Sequence, residues 1–108
     1  MTHEFRVEWR DDDGSRLVSV SGEVDLTSAS DLRDALESGL PRLVVDLSNV
    51  TFIDMSGLRC LVDAAGVHEA VALITSPRVA RLLDLTATAH LFEIAQAFEG
   101  VQGREQKS

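Results

Sequence analysis

The sequence predicts an α/β fold: a single domain with a mixed, mostly parallel sheet of four to five strands and helices alternating along the chain. The first observation is its length of 108 residues, with 44% hydrophobic and 26% charged residues, which suits one globular core. The second is a pair of short apolar runs, Leu43–Leu47 and Val71–Ile74, typical of strands buried on both faces. The third is that amphipathic helical segments separate the predicted strands, an order that favours a parallel sheet. We expect the domain to span residues 1–98, followed by a flexible tail over 99–108.

The amino-terminal segment predicts a hairpin. Phe5, Val7 and Trp9 alternate with charged residues, which indicates a strand with one buried face. The acidic segment Asp11–Gly14 ends in Asp-Gly, a common hairpin turn, and lacks the later ligands of a calcium loop. Leu17–Ser21 is then the second strand.

The first predicted helix has an apolar stripe along one face and ends at Pro41. Ser28 and Asp31 have the spacing of a capping box at its start. The stripe consists of Ala29, Leu32, Ala35, Leu36 and Leu40.

Two more helices are predicted further along the chain. The second begins near Ser56, carries Leu58, Leu61, Val62 and Ala65 at helical spacing, and ends at Gly66. The third begins with Ser76 as its N-cap and Pro77 as its first residue. A last strand is predicted over Leu91–Ala95.

Charge and composition exclude several classes of function. Ten Lys and Arg against eighteen Asp and Glu give a net charge of −8, which disfavours nucleic acid and anionic membranes as partners. Cys60 is the single cysteine and has no metal-ligand spacing around it, so we expect no disulfide, metal or other cofactor, and a small buried thiol. With no signal-like start and no long apolar run, the sequence predicts a cytoplasmic protein.

The sequence does not predict an enzyme. His3, His68 and His90 are the histidines, and none has a partner that marks a catalytic site. The G-x-S-x-G nucleophile motif is absent around Ser56 because Asp54 stands at its first glycine. No glycine-rich phosphate-binding motif occurs either.

Asp25 and Asp54 each follow a predicted strand and lead into a helix. If these strands are parallel, both carboxylates lie at the same end of the sheet and can share one surface. The simpler alternative is that Asp25, Asp54 and Ser56 only cap helices, since Asp and Ser are preferred at those positions.

Four segments resemble the STAS domain, the fold of the bacterial anti-sigma factor antagonists. Phe52–Leu58 reads F-I-D-M-S-G-L and resembles the family segment [FI]-[IM]-D-S-[ST]-G-L. The other three follow the family's order over about residues 5 to 95: Leu17–Asp25 resembles its L-x-G-E-[LV]-D entry, Val44–Ser48 its central strand, and Ser76–Leu83 its SP-x-V-x-R-L helix.

This resemblance implies a protein that binds an anti-sigma factor serine kinase and so releases a sigma factor. It implies that the kinase phosphorylates Ser56, the hydroxyl residue before the glycine, and that a phosphoprotein phosphatase reverses this. The partner-binding residues that it implies are Asp25, Asp54, Met55, Gly57 and Leu58. Met55 replaces the usual Ser or Thr, which keeps the phosphate acceptor and changes the surface beside it.

A phosphate on Ser56 would add about −1.5 to −2 charges at pH 7, which we expect unpaired N–H groups at the helix start to hold. Two alternatives remain open. One is a STAS module of another complex, such as a stressosome-like assembly or a lipid-transporter subunit, without phosphorylation. The other is a small-molecule or nucleotide sensor with its pocket at the Asp25 and Asp54 end.

Overall fold

The computed structural model describes residues 4–95, which form one five-stranded mixed sheet with three helices. The sheet has the order β1-β2-β3-β4-β5, with β1 antiparallel to β2 and every other neighbouring pair parallel. This confirms the predicted fold class. The strands are β1 Phe5–Asp12, β2 Ser15–Val24, β3 Arg42–Ile53, β4 Ala70–Ile74 and β5 Glu93–Ala95. The helices are α1 Ala29–Leu36, α2 Met55–Val67 and α3 Pro77–Thr86, followed by a 3-10 turn at Ala89–Leu91. The predicted tail over 99–108 lies outside the described residues.

A two-residue turn joins β1 to β2, as the Asp-Gly signal predicts. Asp13 and Gly14 both have positive φ angles, of 52° and 85°, which match the right-handed twist of the flanking strands. On β1, Phe5 and Val7 pack partly against the core. The prediction that Trp9 shares the buried face of this strand is wrong, because Trp9 is 50% exposed and stacks on the guanidinium of Arg16 at 3.5 Å.

Strand β3 is buried on both faces in its first half, as predicted, but it is much longer than the apolar run Leu43–Leu47. Its second half pairs with the end of β2 across two register irregularities, one of which lies between Gly22 and Glu23. Gly22 has a φ of +91°, and an added Cβ would lie 1.6 Å from the carbonyl oxygen of Glu4. Only glycine fits here, because any side chain would collide with the backbone of the β1 segment.

Helix α1 ends at Leu36, four residues before Leu40, the last residue of the predicted apolar stripe. The chain turns instead at Ser38 and Gly39, where the Ser38 hydroxyl accepts a hydrogen bond from the N–H of Leu40 and Gly39 has a φ of +72°. The predicted capping box is also wrong, because Ser28 stands at the N-cap but makes no side-chain cap hydrogen bond. Helix α2 runs to Val67, one residue past Gly66.

The main core lies between the helices and one face of the sheet. Residues of all three helices join it, among them Leu32, Leu61 and Leu83, each no more than 2% exposed. Cys60 is buried in this core, as predicted, and burial raises the pKa of its thiol. The core thus packs residues of all three helices against the sheet.

Candidate functional site

The carboxyl ends of β2 and β3 meet at one edge of the sheet. Val24 pairs with Ile53, and the N–H of Asp54 donates to the carbonyl oxygen of Val24 at 3.1 Å. Asp25 and Asp54 directly follow these paired residues. The prediction that both acidic residues lie at the same end of the sheet is therefore confirmed.

Asp54 is the N-cap of α2. Its Oδ1 accepts hydrogen bonds from the N–H of Ser56 at 2.9 Å and from the N–H of Gly57 at 3.3 Å. A carboxylate at this position satisfies two N–H groups that have no partner inside the helix and lies at the positive end of the helix dipole. The capping interpretation of Asp54 is therefore correct.

These same bonds change what a phosphate on Ser56 would meet. The N–H groups of Ser56 and Gly57 are already bonded to Asp54, so they are not unpaired as the sequence led us to expect. A phosphate would have to displace the carboxylate or lie beside it. The negative charges of the phosphate and of the Asp54 carboxylate would then repel each other.

Ser56 is the second residue of α2 and is partly exposed. Its hydroxyl forms no hydrogen bond with any residue between positions 4 and 95. The serines at the starts of the other two helices differ, because Ser28 and Ser76 are 6% and 5% exposed and their hydroxyls are hydrogen-bonded. The capping interpretation is therefore wrong for Ser56.

Gly57 and Leu58 lie beneath this surface. Leu58 is 3% exposed and belongs to the core, so its side chain does not offer the apolar partner contact that the resemblance implies. Gly57 is buried, and an added Cβ would lie 2.6 Å from Cγ1 of Val24 and 2.9 Å from Cγ1 of Ile53. Its place in the motif is explained by close packing of the helix on the two strand ends.

Asp25 organises the connection between β2 and α1. Its Oδ1 accepts from the Thr27 hydroxyl at 2.7 Å, from the Thr27 N–H at 3.1 Å and from the Ser28 N–H at 3.3 Å. The hydrogen bond from the Thr27 hydroxyl is the main reason that the pKa of Asp25 is lowered. Asp25 therefore holds a loop and is not the N-cap of α1, where Ser28 stands.

Three exposed apolar residues flank the paired strand ends along the chain, and we call Leu26, Phe52 and Met55 the apolar rim. They are 76%, 39% and 59% exposed, and each lies within two residues of Val24 or Ile53 along the chain. The sequence pointed to Met55 and missed the other two. Leu26 directly follows Asp25 and falls outside the apolar stripe of α1, and this position is the signal that could have identified it.

The remaining features of the site are electrostatic. Arg59 is exposed one helical turn after Ser56 and forms no ion pair with another residue of the described segment 4–95.

Across residues 4–95, no group of three or more His, Cys, Asp or Glu side chains is placed to hold a metal ion. No helix among them has the length and apolar character needed to cross a bilayer.

The chain belongs to the STAS domain family. The family model described as "Mlab, STAS domain" matches residues 7–97. A STAS-domain containing protein of Pseudomonas aeruginosa is 34% identical over 92 residues, which covers 77% of this chain and 91% of that protein.

Solved structures agree with this assignment. An anti-sigma factor antagonist from Mycobacterium paratuberculosis superposes with a TM-score of 0.85 at 25% identity, covering 98% of this chain and 97% of the other. The anti-sigma factor antagonist SpoIIAA in its unphosphorylated form gives a TM-score of 0.70 at 15% identity, covering 95% of this chain and 97% of the other. The phosphorylated form of this Bacillus cell fate determinant gives 0.67 at 14% identity, covering 93% and 98%. The SpoIIAA structures share the fold.

Proposed function

We propose that this chain is an anti-sigma factor antagonist that binds an anti-sigma factor serine kinase, and that phosphorylation of Ser56 abolishes this binding. The observation that carries the proposal is the partly exposed hydroxyl of Ser56 at the start of α2, which has no hydrogen-bond partner in the described part of the chain. Asp54 caps the helix in its place, so the hydroxyl can be modified without removing a bond on which the fold depends.

The surface around Ser56 suits a protein partner. The apolar rim of Leu26, Phe52 and Met55 exposes large side chains next to two carboxylates. Exposed apolar groups bordered by polar ones are typical of protein interfaces. The partner is thus expected to cover the rim and to contact the Ser56 hydroxyl.

Phosphorylation would act on this surface through charge. The new group would lie beside Asp54, whose carboxylate keeps the two nearest N–H groups occupied. A partner that fits the free hydroxyl would have to bury a dianion without a prepared counter-charge, which costs binding free energy. Arg59 is too exposed to neutralise it fully.

In this proposal the chain supplies the acceptor and the partner supplies the catalysis. The kinase brings ATP and transfers its terminal phosphate to the Ser56 oxygen, and a phosphoprotein phosphatase later removes it by hydrolysis. Asp54 positions the acceptor through the Ser56 N–H, and Asp25 keeps the Leu26 loop in place. The chain itself is then a binding protein and not an enzyme.

The test is the intact mass of the protein isolated from its own host, with peptide mapping across residues 43–78. We expect the mass of one phosphate, located on Ser56 and absent from the Ser56→Ala variant. The matched control is Ser48→Ala, because Ser48 is exposed on the mapped segment and its hydroxyl donates to the nearby Asp46. The control should keep the phosphate.

The same protein samples test whether phosphorylation of Ser56 weakens binding to the kinase. The unmodified protein and Ser56→Ala should both capture the kinase encoded by the same host, and the phosphorylated protein should bind at least tenfold more weakly. A phosphate that persists in Ser56→Ala would overturn the site. Equal binding of the two forms would overturn the switch.

A second candidate is a STAS module that stays in a constant complex with Ser56 unmodified, such as a lipid-transporter subunit. The observation that favours it is the matching family model, whose description names Mlab and no sigma regulator. Absence of phosphate under both growth and stress conditions, together with a stable partner on the apolar rim, would favour this candidate.

A further inference from the structure

Strand β1 is a long, regular edge of the sheet. It runs over eight residues and pairs with β2 on one side only, in a register without any shift. Proline and bulges, two of the devices that keep an edge from pairing, are absent from these eight residues. The edge is therefore a template for another strand.

The backbone groups that point outward can be assigned. The two-residue turn makes Asp12 and Ser15 a hydrogen-bonded pair, and the pairs then alternate along the ladder. The bond from the Glu23 N–H to the Glu4 oxygen fits this alternation. Phe5, Val7 and Trp9 therefore direct their N–H and C=O groups to the open edge.

The side chains of β1 complement a second copy of the same strand. In an antiparallel pair centred on Val7, each residue meets the residue equally far on the other side of Val7. The facing pairs are then Val7 with Val7, Phe5 with Trp9, Arg6 with Glu8, and Glu4 with Arg10. Each of the charged residues Glu4, Arg6, Glu8 and Arg10 then faces an opposite charge. The exposed Trp9 gains an aromatic neighbour.

Geometry and charge select this register over its neighbours. A pair centred on Val7 is hydrogen-bonded at Val7, which is what the outward groups require. It places Arg6 and Glu8 in the closer, non-hydrogen-bonded position, where side chains interact most. Centring on Glu8 sets Glu8 against Glu8 and Arg6 against Arg10, whereas centring on Trp9 sets Val7 against Asp11.

We propose that two copies of this chain associate through β1, antiparallel and centred on Val7, to form one continuous ten-stranded sheet. The pairing uses none of Asp25, Asp54 and Ser56, so it does not rest on the proposed function. One pair of strands buries less than the roughly 1,200 Å² of a standard interface, and the dimer is therefore weak and concentration-dependent.

The experiment is sedimentation equilibrium of the full chain from micromolar to millimolar concentration. The average mass should rise from the 11.8 kDa of one chain toward twice that value. Glu8→Arg and Arg6→Glu should each weaken association about tenfold or more, because each creates two like-charge pairs at once. The double exchange Arg6→Glu with Glu8→Arg should restore it, since it recreates the opposite pairs.

Two controls test whether association depends on β1 in this register. Arg81→Glu makes the same charge change as Arg6→Glu on the exposed part of α3 and should leave association unchanged. Trp9 is the one tryptophan of the chain, so its emission should shift over the same concentration range as the mass. A chain that stays monomeric at millimolar concentration, or a double exchange that fails to restore association, would overturn the proposal.

Discussion

Helices α2 and α3 both follow a parallel strand, and both begin after an extended capping residue. Asp54 caps α2 with a carboxylate that accepts two N–H bonds, and Ser76 caps α3 with a hydroxyl that accepts one, from Val79 at 3.4 Å. At α3 the serine is 5% exposed and its hydroxyl is committed to the fold. At α2 the carboxylate is the cap, and the hydroxyl of Ser56, two residues later, has no hydrogen-bond partner within residues 4–95.

The third residues of the two helices differ as well. Val79 fills the core at the start of α3 and is 1% exposed, whereas Gly57 at the same position of α2 leaves no room for a side chain. The absence of a Cβ lets the start of α2 lie directly on Val24 and Ile53. The start of α2 is therefore tightly fixed underneath while its outer face remains open to a partner.

The largest effect is expected from Gly57→Ala, which adds a side chain at the position where α2 lies directly on the strand ends. The new methyl group would lie 2.6 Å from Cγ1 of Val24, so the helix or the strand ends must move. Overpacking of this kind costs about 1–3 kcal/mol of the free energy of unfolding. Urea unfolding of the variant beside the natural protein measures the loss.

The matched control for this change is Gly66→Ala in the same helix. A Cβ at Gly66 would meet nothing within 4 Å, and alanine is about 1 kcal/mol more favourable than glycine inside a helix. Gly66→Ala should therefore leave stability unchanged or raise it. Equal losses in both variants would contradict the close packing of Gly57.

A smaller effect is expected from exchanging the two serines for alanine. Ser76→Ala removes a buried cap and should lower the free energy of unfolding by about 0.5–2 kcal/mol. Ser56→Ala removes a hydroxyl without a partner among the described residues and should change it by less than about 0.5 kcal/mol. Thermal or urea unfolding of both variants checks the difference. If Ser56→Ala were as costly as Ser76→Ala, Ser56 would be a structural cap after all.

The sequence predicted most of this arrangement because its signals are local. The alternation of β1, the apolar runs of β3 and β4, and the Ser76-Pro77 start of α3 each depend on neighbouring residues only. The second half of β3 was missed because it is stabilised by pairing with β2, a contact between distant parts of the chain.

At the site, the order of strands was enough to predict that Asp25 and Asp54 lie at the same end of the sheet. It was not enough to predict the role of each side chain. From the sequence, Leu58 is part of the Phe52–Leu58 motif and a candidate partner-binding residue. The three-dimensional packing shows that it lies in the core instead. The sequence also allows Asp54, Ser56 or both to cap α2. Three-dimensional geometry assigns the cap to Asp54 and leaves Leu26 and Phe52 exposed beside it.

The smallest effect is expected at the end of β2, on the pKa of Asp25. This carboxylate accepts hydrogen bonds from its loop as Asp54 accepts them from the start of α2. The Thr27 hydroxyl is the main cause of the lowered pKa of Asp25, so Thr27→Val should move that pKa back toward its ordinary value of 3.8. Thr27→Ser keeps the hydroxyl and should leave the pKa low. Titration of the Asp25 carboxyl carbon by NMR measures both.

Because the pKa of Asp25 is lowered in the folded protein, Thr27→Val should change the free energy of unfolding in a pH-dependent way. A carboxyl whose pKa is lower in the folded state stabilises the fold above its unfolded pKa, and this contribution is lost as pH falls through the folded value. The natural protein should therefore be more stable than Thr27→Val near neutral pH, and the difference should disappear well below pH 3.8. A pKa that is the same in Thr27→Val would show that the N–H groups of Thr27 and Ser28, with the Ser28 hydroxyl, hold the carboxylate without the Thr27 hydroxyl. In that case the Asp25 loop would resemble the backbone-capped start of α2 more closely than its hydroxyl contact indicates.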